Sequence, residues 1–406
     1  MARVSKRAEK TQFSPIRKLK PVADQARAAG KRVYNLNIGQ PDIPTPKSFL
    51  DGVKNLPKVL AYSPSPGLDE AVDALVSYYE DQNIPLDRGQ VIITAGGSEA
   101  ITFALMAVTD PGDEIIVPEP FYTNYNSYAT MAGVEIRPIE TRSETGFRLP
   151  DRRAIEAAIT PKTKAILFCN PGNPTGTVYT RDELQMLRDV AVKHDLFLIS
   201  DEVYREFVYD GLLHTSVLHL DGLEERAILV DSISKRFSAC GARIGAIASR
   251  NPSIMQAALK FAQARLSPPT LGQLGLIHFL KSSTYRREVA EMIEEFEQRR
   301  DVVYEEITVI PGVVCRKPQG AFYIIAQFPI NDAEDFCSWL LTEFELQGET
   351  VLMAPAADFY KTPGKGRDEV RLAYVLNAQA LKRAIEIVQA GLDAYSHSHI
   401  GVRARA

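Results

Sequence analysis

An α/β architecture is what this chain predicts: a large domain with a mostly parallel sheet flanked by helices, plus a smaller α+β domain. Three observations carry that expectation. The chain has 406 residues, more than one hydrophobic core usually supports, so two domains are expected. From about residue 47 to 285, short apolar runs recur between helical stretches, which is how buried parallel strands read. After Thr284 the pattern changes to long, charged helices with few strands.

Taken in order, Pro21–Ala29 predicts a short helix in an N-terminal arm. Val33–Ile38 reads as a strand, and the Pro-rich segment Gly39–Pro46 as an irregular turn. Val91–Thr94, Glu114–Val117, Lys164–Phe168, Leu196–Ser200, Ala227–Val230 and Ile244–Ala248 predict buried strands. Ser98–Val108 predicts a helix, and Thr180-Arg-Asp-Glu183 is a capping box that opens another, ending at His194. In the smaller domain, apolar spacing at Val289, Met292, Ile293 and Phe296 predicts a helix over Arg286–Val309. Strands are expected at Gly320–Ile325 and Glu369–Tyr374, and helices at Ala333–Phe344 and Ala378–Ala394.

Composition excludes several function classes. Net charge is −4, with 45% hydrophobic and 24% charged residues, so no nucleic-acid or membrane partner is expected. The basic stretch Arg3–Lys20 lacks the apolar core of a signal peptide and reads as a solvated arm. Cys169, Cys240, Cys315 and Cys337 form no Cys-x-x-Cys pair, which fits a reducing cytoplasm, and no metal site is expected.

The chemistry centres on Lys235, in Ser232-Ile-Ser-Lys-Arg-Phe-Ser-Ala-Cys-Gly-Ala-Arg-Ile-Gly245. A lysine among hydroxyl groups, followed by Arg243 and two glycines, suits an amine that forms an imine with an aldehyde beside a bound phosphate. Ser232, Ser234 and Arg243 can supply phosphate contacts. Alone, the segment reads equally as a surface lysine in a Gly/Ser loop. Asp201 closes a predicted strand, where open α/β sheets bind ligands, and an ionised Asp there can hold a pyridine nitrogen in its protonated form. By itself it also suits a helix cap or a solvated acid. Asn170-Pro-Gly-Asn-Pro-Thr-Gly176 predicts an extended, rigid loop. Ala95-Gly-Gly-Ser-Glu-Ala100 joins a strand to a helix, where exposed N–H groups can bind phosphate. Tyr122 is placed either to stack on an aromatic ligand or to pack in the core. Arg371, on an otherwise apolar strand, needs either a structural acid or a ligand carboxylate.

The run Ser-x-Ser-Lys-x-Phe-x-x-x-Gly-x-Arg-x-Gly resembles the cofactor-lysine signature of class I, fold-type I aminotransferases, which use pyridoxal 5′-phosphate (PLP). Further landmarks of the family recur in order from Asn37 to Arg371. The resemblance, aspartate aminotransferase-like overall, implies a large PLP-binding domain over 47–285 and a discontinuous small domain over 1–46 and 286–406. It implies that Lys235, Asp201 and Tyr204 are catalytic, with Asp201 on the ring nitrogen and Tyr204 on the ring hydroxyl. It puts Gly97, Ser98, Ser232 and Arg243 around the phosphate, and Tyr122 and Asn173 on the ring. Gly39, Asn173 and Arg371 are implied at the substrate carboxylate. Tyr62, in Ala-Tyr-Ser-Pro-Ser-Pro-Gly67, matches a tyrosine that reaches the neighbour's phosphate in a homodimer with shared active sites. Where the family commonly continues this segment with Leu-Arg, Glu70-Ala-Val72 stands here. The implied activity moves an amino group between an L-amino acid and a 2-oxo acid, with aspartate and 2-oxoglutarate as leading candidates. A PLP-dependent lyase resembling aminocyclopropane-carboxylate synthase is the alternative on the same scaffold. A non-catalytic PLP-binding regulator fits less well, because no basic helix–turn–helix segment is present.

Overall fold

The structure, a computed structural model, describes residues 2–54, 56 and 58–399. Its strands are β1 (Arg32–Asn35), β2 (Val91–Thr94), β3 (Glu114–Glu119), β4 (Glu135–Glu140), β5 (Thr163–Cys169), β6 (Phe197–Asp201), β7 (Ala227–Ser232), β8 (Gly245–Ala248), β9 (Val314–Cys315), β10 (Tyr323–Gln327), β11 (Glu349–Leu352), β12 (Ala354–Pro355) and β13 (Glu369–Ala373). The seven-stranded sheet has the order β2-β8-β7-β6-β5-β3-β4. β4, β3, β5, β6 and β7 run parallel, and β8 is antiparallel to both of its neighbours, β7 and β2.

Side chains alternate across this sheet, so each strand feeds two apolar layers of one core. Ile166 and Phe168 of β5 join the cluster formed with helices Asp69–Asp81, Arg181–His194 and Thr270–Leu280. Ala165 and Leu167 point the other way, into the cluster with helices Gly97–Val108, Asn124–Ala132 and Pro252–Arg265. Burial on both faces is why these strands read as continuous apolar runs. The capping box forms as expected: Thr180 Oγ1 accepts from the Glu183 N–H at 3.2 Å, and Glu183 Oε2 accepts from the Thr180 N–H at 2.8 Å.

A second core surrounds the antiparallel sheet β12-β13-β10-β9 and helices Tyr285–Thr308, Ala333–Thr342 and Ala378–His399. The N-terminal segment belongs to it. Leu19 and Ala23 pack there, and β1 pairs in parallel with β11, Arg32 opposite Glu349 and Asn35 opposite Leu352.

Three local expectations are corrected, and one strand, β4, was not anticipated. β1 stops at Asn35, two residues before the chain turns at Asn37 towards the cleft described below. β4 is unmarked in the sequence because it is an edge strand, with Arg137 and Pro138 half-exposed on a position that need not be apolar. Gly320–Phe322 is a turn preceding β10: Ala321 has φ +54°, and Gly320 is pressed against the Phe207 carbonyl. The Asn170–Gly176 loop is folded, not extended. The Gly176 N–H reaches the Gly172 carbonyl at 2.9 Å, and the Gly172 N–H reaches the Thr177 carbonyl at 2.8 Å.

Gly245 lies where β2, β7 and β8 converge. A Cβ there would stand 2.5–2.7 Å from backbone atoms of Gly96, Gly97 and Asp231, none of which can swing aside. Gly245→Ala is therefore expected to lower stability by about 1–3 kcal/mol, read as a reduced denaturation midpoint. An unchanged midpoint would contradict the close approach.

Candidate active site

The carboxyl ends of the parallel strands and the small sheet enclose a cleft of about 560 Å³, within the range of small-molecule sites. Its lining includes Gly39, Gly97, Ser98, Tyr122, Asn173, Asp201, Tyr204, Ser232, Lys235, Arg243 and Arg371. Every site residue expected from the sequence is thus brought together except Tyr62, which stands on an exposed loop at 80% accessibility and outside the cleft lining.

The topology explains the convergence. β6 ends at Asp201, β7 at Ser232 and β2 at Thr94, all on one edge. Because β8 runs the opposite way, it begins where its neighbours end: Gly245 pairs with both Ser232 and Thr94. That reversal puts Arg243 beside the start of helix Gly97–Val108. Its guanidinium occupies the space that a side chain on Gly96, at φ +87°, would need. Arg243 donates only to carbonyls, those of Cys240 at 3.2 Å and Ala95 at 3.3 Å. Ser232 and Ser234 share a hydrogen bond of 2.9 Å at this end of the cleft. Cation, hydroxyls and helix N-terminus together form an anion cradle.

Lys235 lies on the single helical turn Ile233–Arg236 that follows β7. Its Nζ donates to the Gly39 carbonyl at 2.6 Å and stands 3.8 Å from Cys240 Sγ. Glycine at position 39 leaves room for the buried Tyr323 ring, whose hydroxyl a Cβ there would displace. Flanking Lys235, Arg236 pairs with Asp231, and both side chains are 1% exposed.

Asp201 is buried, accepting from Tyr125 Oη at 2.7 Å and from the Val203 N–H at 3.3 Å. Burial pushes its carboxyl up to about 6, partly opposed by those hydrogen bonds. The Tyr204 hydroxyl lies 2.8 Å from that of Tyr323, and burial drives its phenol well above the ordinary value, so it remains protonated. Tyr122 accepts from Asn124 Nδ2 at 2.8 Å and presents its ring edge-on to Tyr125.

Arg371 sits in the middle of the small sheet, opposite Ile325 and Ala354. It is 1% exposed and makes no ion pair with any described carboxylate. Its guanidinium donates to Asn173 Oδ1 at 3.1 Å and to the Asn37 carbonyl, stacks 4.5 Å from the Tyr323 ring, and leaves Nε without a partner. A buried cation served only by neutral acceptors is suited to a ligand carboxylate. An anion cradle at one end, a buried acid with no ion pair among the described residues, a lysine and a buried arginine likewise without an ion pair fit PLP together with an amino acid.

Tyr125, Tyr128 and Tyr323 join the site although no motif marked them. Tyr128 Oη donates to Ser98 Oγ at 2.8 Å. The repeat Tyr122, Tyr125, Tyr128 at spacing three, entering helix Asn124–Ala132 from the residue before its N-cap, was the legible signal for two of them.

Known proteins share this sequence pattern and fold. The model of the family "Aminotransferase class I and II" matches residues 31–388. The aspartate aminotransferase of Bacillus subtilis is 32% identical over 92% of this chain and 95% of its own length. The aromatic-amino-acid aminotransferase 2 of Thermococcus litoralis is also 32% identical, over 94% and 96%. The solved structure of Thermus thermophilus aspartate aminotransferase with maleate superposes with a TM-score of 0.86 at 29% identity, covering 96% of this chain and all of that one. The chain belongs to the class I and II aminotransferases, a PLP-dependent family, and is a transaminase. These relatives do not favour the lyase alternative.

With Asp201 on the ring nitrogen, as proposed below, cofactor affinity is expected to fall with pH on the acid side. The folded value of Asp201 is raised, so the carboxylate is lost as pH falls through about 6, and with it the partner for a protonated ring nitrogen. PLP affinity of the apoprotein is expected to fall by up to about tenfold per pH unit below 6, measured by fluorescence titration. Asp201→Asn should bind more weakly at pH 8 and follow a flatter profile. Parallel profiles for the two proteins would rule this role out.

Proposed function

We propose that this enzyme transfers the amino group of an amino acid to a 2-oxo acid by a ping-pong cycle, with aspartate and 2-oxoglutarate as the leading pair. The observation that carries the assignment of roles is the buried, unpaired Arg371 facing Lys235 across one cleft. Bound PLP supplies an aldehyde that an amine can capture, and a ring that accepts the electron pair left by a departing α-proton. Arg371 would hold the substrate α-carboxylate, with Asn173 and the Gly39 backbone beside it. Lys235 Nζ would take the α-proton and return it on the cofactor side, acting as base and then acid. Asp201 would hold the ring nitrogen protonated. Tyr204 and Asn173 would donate to the ring oxygen, Tyr122 would cover the ring, and Gly97, Ser98, Ser232 and Arg243 would hold the phosphate.

The division of labour would follow the two cores: residues 47–285 as the cofactor-binding unit, and 1–46 with 286–406 as the unit carrying Arg371. We further propose a homodimer in which Tyr62 reaches the neighbour's phosphate. Its exposure and the exposed Val59 and Leu60 beside it support that reading. A cytoplasmic location is supported by four cysteines without a disulfide among the described residues.

The test is absorbance spectroscopy of the PLP-loaded protein mixed with single amino acids and no oxo acid. Conversion of the visible band to the amino form of the cofactor is expected with aspartate. Lys235→Ala should lose turnover by at least about 10⁴-fold. A variant retaining near-normal turnover would exclude Lys235 as the proton carrier. Tyr62→Phe is expected to weaken PLP binding while sedimentation still reports a dimer. Unchanged PLP affinity would remove Tyr62 from the cofactor site.

A further inference from the structure

We propose that Arg17, on the N-terminal arm, reads the side-chain carboxylate of the amino acid substrate. This rests on the transaminase reading above and adds the residue that selects the substrate. Four cations line the cleft: Lys235, Arg243, Arg371 and Arg17. Lys235 contacts the Gly39 carbonyl at the reacting centre, Arg243 stands in the anion cradle, and Arg371 lies buried where the α-carboxylate belongs. Arg17 is left without a task, and no described acid forms an ion pair with it, although a mobile surface arginine commonly finds one. Among the described residues Asp201 is the one carboxylate lining the cleft, and Tyr125 and the Val203 N–H already engage it.

The arm that carries Arg17 is held in place at its neighbours. Lys18 pairs with Glu334 at 2.6 Å, and Leu19 is buried in the second core. The Ile16 carbonyl accepts from Asn37 Nδ2 at 2.9 Å, and the Asn37 carbonyl accepts from Arg371. Ile16 also packs against the cluster containing Phe359, whose ring lies 5.0 Å from the Arg371 guanidinium. Asn37 therefore joins Arg371 to Ile16, the chain neighbour of Arg17, and both arginines line the same cleft. A substrate with two carboxylates can engage both, and a neutral amino acid engages Arg371 alone. Planar guanidinium groups suit both ends. Because Arg17 is exposed, its contribution is expected to be moderate and weakened by salt.

The experiment compares kcat/KM for aspartate with that for alanine and phenylalanine, in wild type, Arg17→Ala and Arg17→Lys. It also compares Kd for succinate and butyrate on the PLP-loaded enzyme by calorimetry. In Arg17→Ala the aspartate-to-alanine ratio and the succinate-to-butyrate preference should each fall about 10- to 100-fold, with Arg17→Lys intermediate. A ratio unchanged by Arg17→Ala, or a uniform loss for every substrate, overturns the assignment while leaving the reaction class standing. So does a wild-type enzyme active only on neutral amino acids. A wild-type protein that converts no amino acid overturns both.

Discussion

The buried ion pair between Asp231 and Arg236 holds the catalytic edge of this molecule together. Asp231, near the end of β7, also accepts from Tyr79 Oη at 2.8 Å and from the Ser232 N–H at 2.7 Å. Arg236 stacks 4.5 Å from the Tyr78 ring. The pair thus ties the strand, the turn bearing Lys235 and helix Asp69–Asp81 into one unit. Such a pair adds little net stability, but losing one partner leaves an uncompensated buried charge costing about 3–5 kcal/mol. What it contributes is position: Lys235 and Ser232 lie between its two ends and have little room to wander.

Two buried aspartates on this edge show what a cation does. Asp231 is desolvated, yet Arg236 and Arg205 more than offset the burial and hold its carboxyl below the usual range. Asp201 is equally desolvated but has no arginine against it, and burial pushes it up to about 6. The first is a finished structural contact. The second, like Arg371 and Arg243, has no ion-pair partner among the described residues, which is what the proposed ligand contacts would complete. The site is recognisable as a set of incomplete electrostatic contacts around one cleft, each of which, in the proposed reading, a different part of a cofactor–substrate pair would complete.

The two cores make this arrangement possible in different ways. The large sheet supplies the cradle, the acid and the lysine from strand ends, where backbone groups and side chains naturally point outward. The small sheet supplies Arg371 from a strand middle, where a cation is tolerated only with several neutral acceptors and aromatic faces around it. Asn173 and Tyr323 contact groups from both sides, Asn173 touching Arg371 and Tyr204, and Tyr323 touching Tyr204 and Arg371.

Much of this was legible in the chain by itself. Strands buried on both faces appear as apolar runs, a capping box marks its helix, and the spacing around Lys235 places lysine, arginine and glycines on one turn and the strand after it. Those signals are local, set by backbone period and hydrogen-bond chemistry within a few residues. The edge strand β4 left no such mark, because a strand half open to solvent need not be apolar. Nor did Tyr323 or Arg17, which reach the cleft only because the N-terminal segment and the second core fold against the large sheet. Tertiary structure alone decided that Arg371 has no acid partner among the described residues, that β8 reverses to deliver Arg243, and that Asn37 ties Arg371 to the N-terminal arm at Ile16. These depend on which groups meet across hundreds of residues, and pairing between distant charges leaves no period in a sequence.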